Sequence, residues 1–143
     1  MWVYGYLVEF YRATLNEELC HKFIEEGEEL IASNTIDIRP KAYLAQAKSS
    51  YRLQFRESFQ NITFEERRSE LELALSMAEA SQDSYLIGLN QNALGFILMH
   101  NNPSESDEIV NYFESAKAHM LANERFRNYT SVLQNFSMYY TRS

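Results

Sequence analysis

The chain is short of the residues that bend a backbone. Its 143 residues include 4 glycines and 2 prolines, too few for the many tight turns of an all-β domain. A single cysteine, Cys20, excludes an intrachain disulfide framework. The longest uncharged apolar runs, 1–8 and 93–99, fall far short of a bilayer span, so no membrane partner is expected. No basic stretch, apolar run and small-residue cleavage site open the sequence, so a cytoplasmic setting is the expectation. Without a secretory signal, the glycosylation patterns at Asn61, Asn128 and Asn135 are read as chance matches. Positive charge is also scarce, at 13 basic against 20 acidic residues and a net charge of −7. Arg67-Arg68 and Arg125/Arg127 are flanked or interrupted by glutamate. Counterion release from nucleic acid needs massed cations, so no direct nucleic-acid partner is expected.

Catalytic signatures are missing as well. The sequence has no glycine-rich phosphate loop and no HExxH, GxSxG or CxxC motif. His21, His100 and His119 are dispersed, so the chain reads as non-enzymatic and without a cofactor. Glu17, His21 and Glu25 share one helix face, where they would either bind a divalent cation or form a solvated acidic surface. Three ligands are fewer than a structural metal site uses. Cys20 adjoins His21, but helix neighbours point about 100° apart and do not face each other. A buried, inert thiol is therefore expected.

Helix is what the sequence supplies. Apolar residues make up 45% of the chain, and they recur at helical spacing with no alternation of period two. Seven helices are predicted, at roughly 3–13, 17–33, 40–58, 64–80, 84–100, 105–122 and 124–143. Asn16 is suited to cap the second, and the stretch Ser81-Gln82-Asp83 the fifth. Thr63 and Glu66 form a capping box for the fourth, and Ser104 and Asp107 suggest another for the sixth. Pro40 suits the first turn of the third. Short loops make consecutive helices antiparallel hairpins.

The even and odd helices carry different patterns. Cys20, Ile24 and Gly27 have the same spacing as Leu71, Leu75 and Ala78, and as Ile109, Phe113 and Ala116; the last two triplets are offset by 38 residues. Each triplet ends on a small residue, where a neighbour comes close. The odd helices pair a large residue with a smaller one, then place a large one three positions on. Examples are Leu94-Gly95 with Leu98, Leu7-Val8 with Tyr11, and Phe136-Ser137 with Tyr140. The third helix fits less closely, through Ala47-Lys48 with Tyr51 or, one residue earlier, Gln46-Ala47 with Ser50. Gly95 thus marks a helix crossing near Phe113 or Ala116 and is not a defect.

Over essentially the whole chain this alternation resembles the tetratricopeptide-repeat family. Its first helix carries an aromatic, a Leu-Gly pair and a tyrosine, and its second carries alanine, an aromatic and alanine. The rhythm of residues 80–96 is similar to the long-repeat variety found in bacterial signalling and transcription regulators. Gln91 replaces the usual aromatic, and no repeat ends in the family's proline. The resemblance implies one all-α domain, a right-handed solenoid of stacked hairpins, with repeats at about 1–34, 40–81 and 84–122 and a final helix at 124–143. It also implies a concave groove lined by the first helix of each repeat. Trp2, Glu9 and Arg12 would come from the first repeat, and Ser49 and Arg52 from the second. Asn92, Phe96, Met99 and His100 would come from the third, and Gln134, Met138 and Arg142 from the last helix. The arginines favour carboxylates, so the expected partner is a protein or short peptide with an acidic residue or a free C-terminus. The alternative is that these arginines pair with glutamates across helices and that the module self-associates, as a homodimer through its last helix.

Overall fold

The computed structural model describes residues 2–104, 106–122 and 126–142, without the side chains at 126–128 and 142. Among the described residues the chain forms seven α-helices and no strand: α1 (Trp2–Ala13), α2 (Glu17–Ser33), α3 (Ile38–Gln54), α4 (Phe64–Ala80), α5 (Ser84–Asn101), α6 (Ser106–Ala122) and α7 (Phe126–Arg142).

Local chemistry sets most of these ends. Asn16 Oδ1 accepts the Leu19 amide at 3.1 Å, and Glu17 and Glu18 place negative charge in the first turn of α2. Asp83 Oδ1 accepts the Leu86 amide and opens α5. The capping box of α4 is complete. Thr63 Oγ1 accepts the Glu66 amide at 3.2 Å, and the Thr63 amide donates to Glu66 Oε2 at 2.8 Å. Pro40 sits in the first turn of α3, where its missing N–H costs no intrahelical bond. At α6 the helix opens at Ser106, and Ser104 Oγ donates to Asn102 Oδ1 at 2.6 Å. The expected start of α7 at 124 lies outside the described residues.

Two helices end on left-handed residues that are not glycine. Leu15 and Gln82 have φ of 59° and 55°. The amide after each bonds back five residues, from Asn16 to the Tyr11 carbonyl and from Asp83 to the Ala78 carbonyl. This closure satisfies the last carbonyls of α1 and α4 and turns the chain sharply.

The third helix is shorter than predicted, ending at Gln54 rather than near 58. From Phe55 to Ile62 the backbone bonds three residues apart, so the segment turns without continuing the α-helix. Arg67 holds it there. Its guanidinium donates to the Arg52 carbonyl at 3.1 Å and to the Phe59 carbonyl at 2.8 Å. The Phe59 ring folds back to 5.2 Å from Tyr51.

Every helix packs on the next in sequence, and each odd helix also packs on the following odd one: α1 on α3, α3 on α5, α5 on α7. The even helices do not approach one another closely through their backbones among the described residues. Side chains still link two of them, as Arg68 of α4 reaches Glu108 of α6 at 2.9 Å. The triplets of the even helices are core. Cys20, Ile24, Leu71, Ala78, Ile109, Phe113 and Ala116 are buried, and Leu75 is half-buried. In α7 the pattern is displaced by one position at two of its residues. Val132, Phe136 and Tyr139 are buried, whereas Leu133 and Tyr140 are exposed.

Gly95 lies on the α5–α6 crossing. A Cβ built on it would stand 2.7 Å from Phe113 Cε1 and 2.9 Å from Cδ1. Phe113 is fully buried, so its ring has nowhere to retreat. On an open helix face Gly→Ala stabilises by about 1 kcal/mol. Here Gly95→Ala is expected to destabilise by about 1–3 kcal/mol through overpacking, read from urea midpoints; an unchanged or raised midpoint would contradict this crossing.

The Glu66 carboxyl is held below its usual pKa, first by the Thr63 backbone amide and then by the Thr63 side chain. A folded pKa depressed below the unfolded one gives stability that is present above the unfolded value and is lost as pH falls through the folded value. Urea midpoints of wild type and Glu66→Gln should therefore differ at pH 7 and converge toward pH 3. A gap independent of pH would assign the box no ionic component.

Candidate binding groove

The odd helices enclose a groove of about 430 Å³. Glu9 and Arg12 come from α1, and Gln46, Ser50, Leu53 and Gln54 from α3. Tyr85, Leu89, Asn92, Ala93 and Phe96 come from α5, and Ser131 and Asn135 from α7. The spacing within α3 and α5 is that of one helix face. Through Leu53, Gln54 and Phe96 the groove runs into a second hollow of about 510 Å³, beside Arg56, Phe64, Arg67 and His100. Through Tyr85 it adjoins an aromatic cleft at the opposite helix ends.

Side-chain amides cross the groove. Asn135 Nδ2 donates to Asn92 Oδ1 at 3.0 Å, joining α7 to α5. Arg12 Nη1 donates to Gln54 Oε1 at 2.8 Å, and Gln54 Nε2 returns a bond to the Arg12 carbonyl at 3.0 Å, joining α1 to α3. Gln46 Nε2 donates to Ser50 Oγ at 2.7 Å.

Of the residues expected to line the groove, the structure brings Arg12, Asn92 and Phe96 together there, with Glu9. Arg12 is already paired, with its Nη2 2.6 Å from Glu9 Oε2. Arg52 turns to α4, donates to Glu70 Oε1 at 2.8 Å and lies over the Phe59 ring. Arg52 thus follows the alternative of pairing with a glutamate across helices, whereas Arg12 meets its glutamate within α1 and crosses to α3 only through Gln54. Met99 is buried among the side chains of α6 and α7. His100 is exposed in the second hollow, its Nδ1 2.8 Å from the Phe96 carbonyl oxygen. Ser49 is buried, with no hydrogen-bond partner at its hydroxyl among the described residues. Trp2 lies in the aromatic cleft.

In α7 the register moves by one. Gln134 is exposed and Met138 packs on the core, while Asn135 takes the groove position. The side chain of Arg142 lies outside the described residues. Gln46, Ser50, Gln54 and Tyr85 were not anticipated. For Gln46 and Ser50 the signal is the 43-residue separation that relates Asn92 to Asn135, which also relates Gln46 to Leu89, Ser50 to Ala93 and Leu53 to Phe96. The 38-residue offset of the even helices masks it.

Other chemistry is structural in character. Cys20 is fully buried, its Sγ lies 3.6 Å from the Val8 carbonyl, and burial raises its thiol pKa. The thiolate needed for nucleophilic attack is therefore disfavoured. Tyr51, beside it in the same cluster, is pushed up to about 12 by burial. His21 pairs with Glu25 at 3.1 Å, and among the described residues no three acidic, histidine or cysteine side chains converge on a metal position. Ser84 Oγ meets His119 Nδ1 at 2.7 Å and ties α5 to α6; neither residue lines the three hollows described above. No described helix is long and apolar enough to cross a membrane. No family model matches the chain, and neither the curated proteins nor the solved structures contain a match to it.

Proposed function

We propose that the chain is a non-enzymatic binding module, a tetratricopeptide-like stack of helix hairpins that holds an extended peptide segment along its odd helices. The observation that carries this is the row of neutral amides and hydroxyls in the groove, supplied by α3, α5 and α7 between the apolar side chains of Leu53, Leu89 and Phe96. An amide side chain offers both a donor and an acceptor, which matches a peptide backbone of any sequence. The contact of each odd helix with the next supports the stacked arrangement. The pairing of Arg12 and Arg52 with glutamates removes the reason for an acidic preference. The segment bound is therefore uncharged where it crosses the groove, with an apolar side chain against Phe96. A role as the sensor or interaction part of a bacterial regulator fits such a module.

Peptides selected on the purified chain from a displayed random library should bind the Asn92→Ala/Asn135→Ala double variant about tenfold more weakly, the worth of one to two hydrogen bonds. Failure to select any peptide, or undiminished binding to a folded double variant, would overturn the groove.

Self-association is a second reading with its own observation. The terminal helices expose large apolar side chains: Val3, Tyr6 and Phe10 on α1, and Leu133 and Tyr140 on α7. Burying such a patch against a second copy is favourable. Sedimentation at rising concentration should show a dimer that Phe10→Ser with Tyr140→Ser disperses. A monomer throughout would remove this reading.

A further inference from the structure

The cleft at the N-terminal ends of α1, α3 and α5 encloses about 620 Å³, within the usual size of a small-ligand site. Its walls are aromatic. Trp2 and Tyr6 stand one helical turn apart on α1, and the Tyr43 ring of α3 lies between them, 6.0 Å from the first and 5.1 Å from the second. Tyr85 of α5 completes the lining. Among the described residues that line it, one is an acid. Asp83 has a side chain only 13% exposed, and its two oxygens have separate tasks. Oδ1 accepts the Leu86 amide and caps α5, while Oδ2 accepts Arg39 Nε at 3.0 Å.

Arg39 reports what the cleft accepts. Its guanidinium lies 5.7 Å from the Trp2 ring centre while its Nε bonds the carboxylate, yet the side chain remains 59% exposed. The chain's own cation is therefore held at the mouth and free to leave. Aromatic faces attract a diffuse cation through their quadrupole, and an adjacent carboxylate fixes it in place.

From this we infer that the cleft is a site for a weakly hydrated organic cation, carrying a quaternary ammonium or guanidinium head, which displaces Arg39 from Trp2 and pairs with Asp83. The site shares Tyr85 with the groove but does not depend on a peptide binding there. Two heads share this chemistry. The compact ammonium would be held by the rings, the planar guanidinium by the carboxylate.

Trp2 is the only tryptophan, so its fluorescence reports on this cleft alone. The full chain is titrated with tetramethylammonium and, separately, with methylguanidinium, against sodium chloride at matched ionic strength. A saturable change with either organic cation, absent with sodium, is the expected result. R39Q removes the internal competitor and should tighten binding, by up to about tenfold if the wild-type cleft is mostly occupied. D83N keeps an oxygen to cap α5 and removes the charge; it should weaken binding by about tenfold. Tyr6 is 61% exposed, so Tyr6→Leu should weaken binding without unfolding the chain. A response reproduced by sodium chloride, R39Q binding no tighter than wild type, or undiminished affinity in both D83N and Tyr6→Leu would overturn the assignment.

Discussion

Close approach at helix crossings governs the spacing of this molecule. All four glycines lie inside helices, and none uses a left-handed conformation. Each faces a side chain from another helix, nearer than a Cβ would allow. Gly5 meets Tyr43, Gly27 meets Leu44, Gly88 meets Met120 and Gly95 meets Phe113. The propensity lost at each glycine is offset by packing a large side chain onto bare backbone. Gly5 and Gly27 bring α3 against α1 and α2, while Gly88 and Gly95 bring α6 against α5.

The Gly5 approach seats α1 against α3, and polar side chains tie each odd helix to the next. Arg12 and Gln54 join α1 to α3, Arg39 and Asp83 join α3 to α5, and Asn92 and Asn135 join α5 to α7. Such bonds cost less along a groove than in a core, because water completes the remaining donors and acceptors. The groove is consequently polar without being charged. Glu9 neutralises Arg12 within it, and Glu70 draws Arg52 away toward α4. An acidic protein thus keeps a near-neutral groove, and the aromatic cleft beside it holds a cation of the chain's own.

The all-α class and most helix ends were legible because they rest on neighbours in the chain. Asn16, Thr63 with Glu66, and Asp83 cap through bonds to amides three residues away. The packing of Gly95 on Phe113 was legible too, since a glycine within a strong helical pattern has few other uses. The end of α3 was not. Arg67, distant in sequence, takes the Arg52 carbonyl and folds the 55–62 segment back. The groove was legible only in part. Arg12, Asn92 and Phe96 were found, but one position of register in α7 exchanges Asn135 for Gln134, and rotation about α5 carries Met99 into the core.

By itself, then, the sequence determined the helices, their caps and the alternation of two helix types, because each depends on spacing within about two turns of one helix. Tertiary structure alone decided that Arg52 meets Glu70 and Arg68 meets Glu108, where α3 stops and which amides share the groove. Those outcomes turn on the rotation of one helix against another. A single residue of register moves a side chain about 100° around its axis, and only the packed neighbours fix that angle.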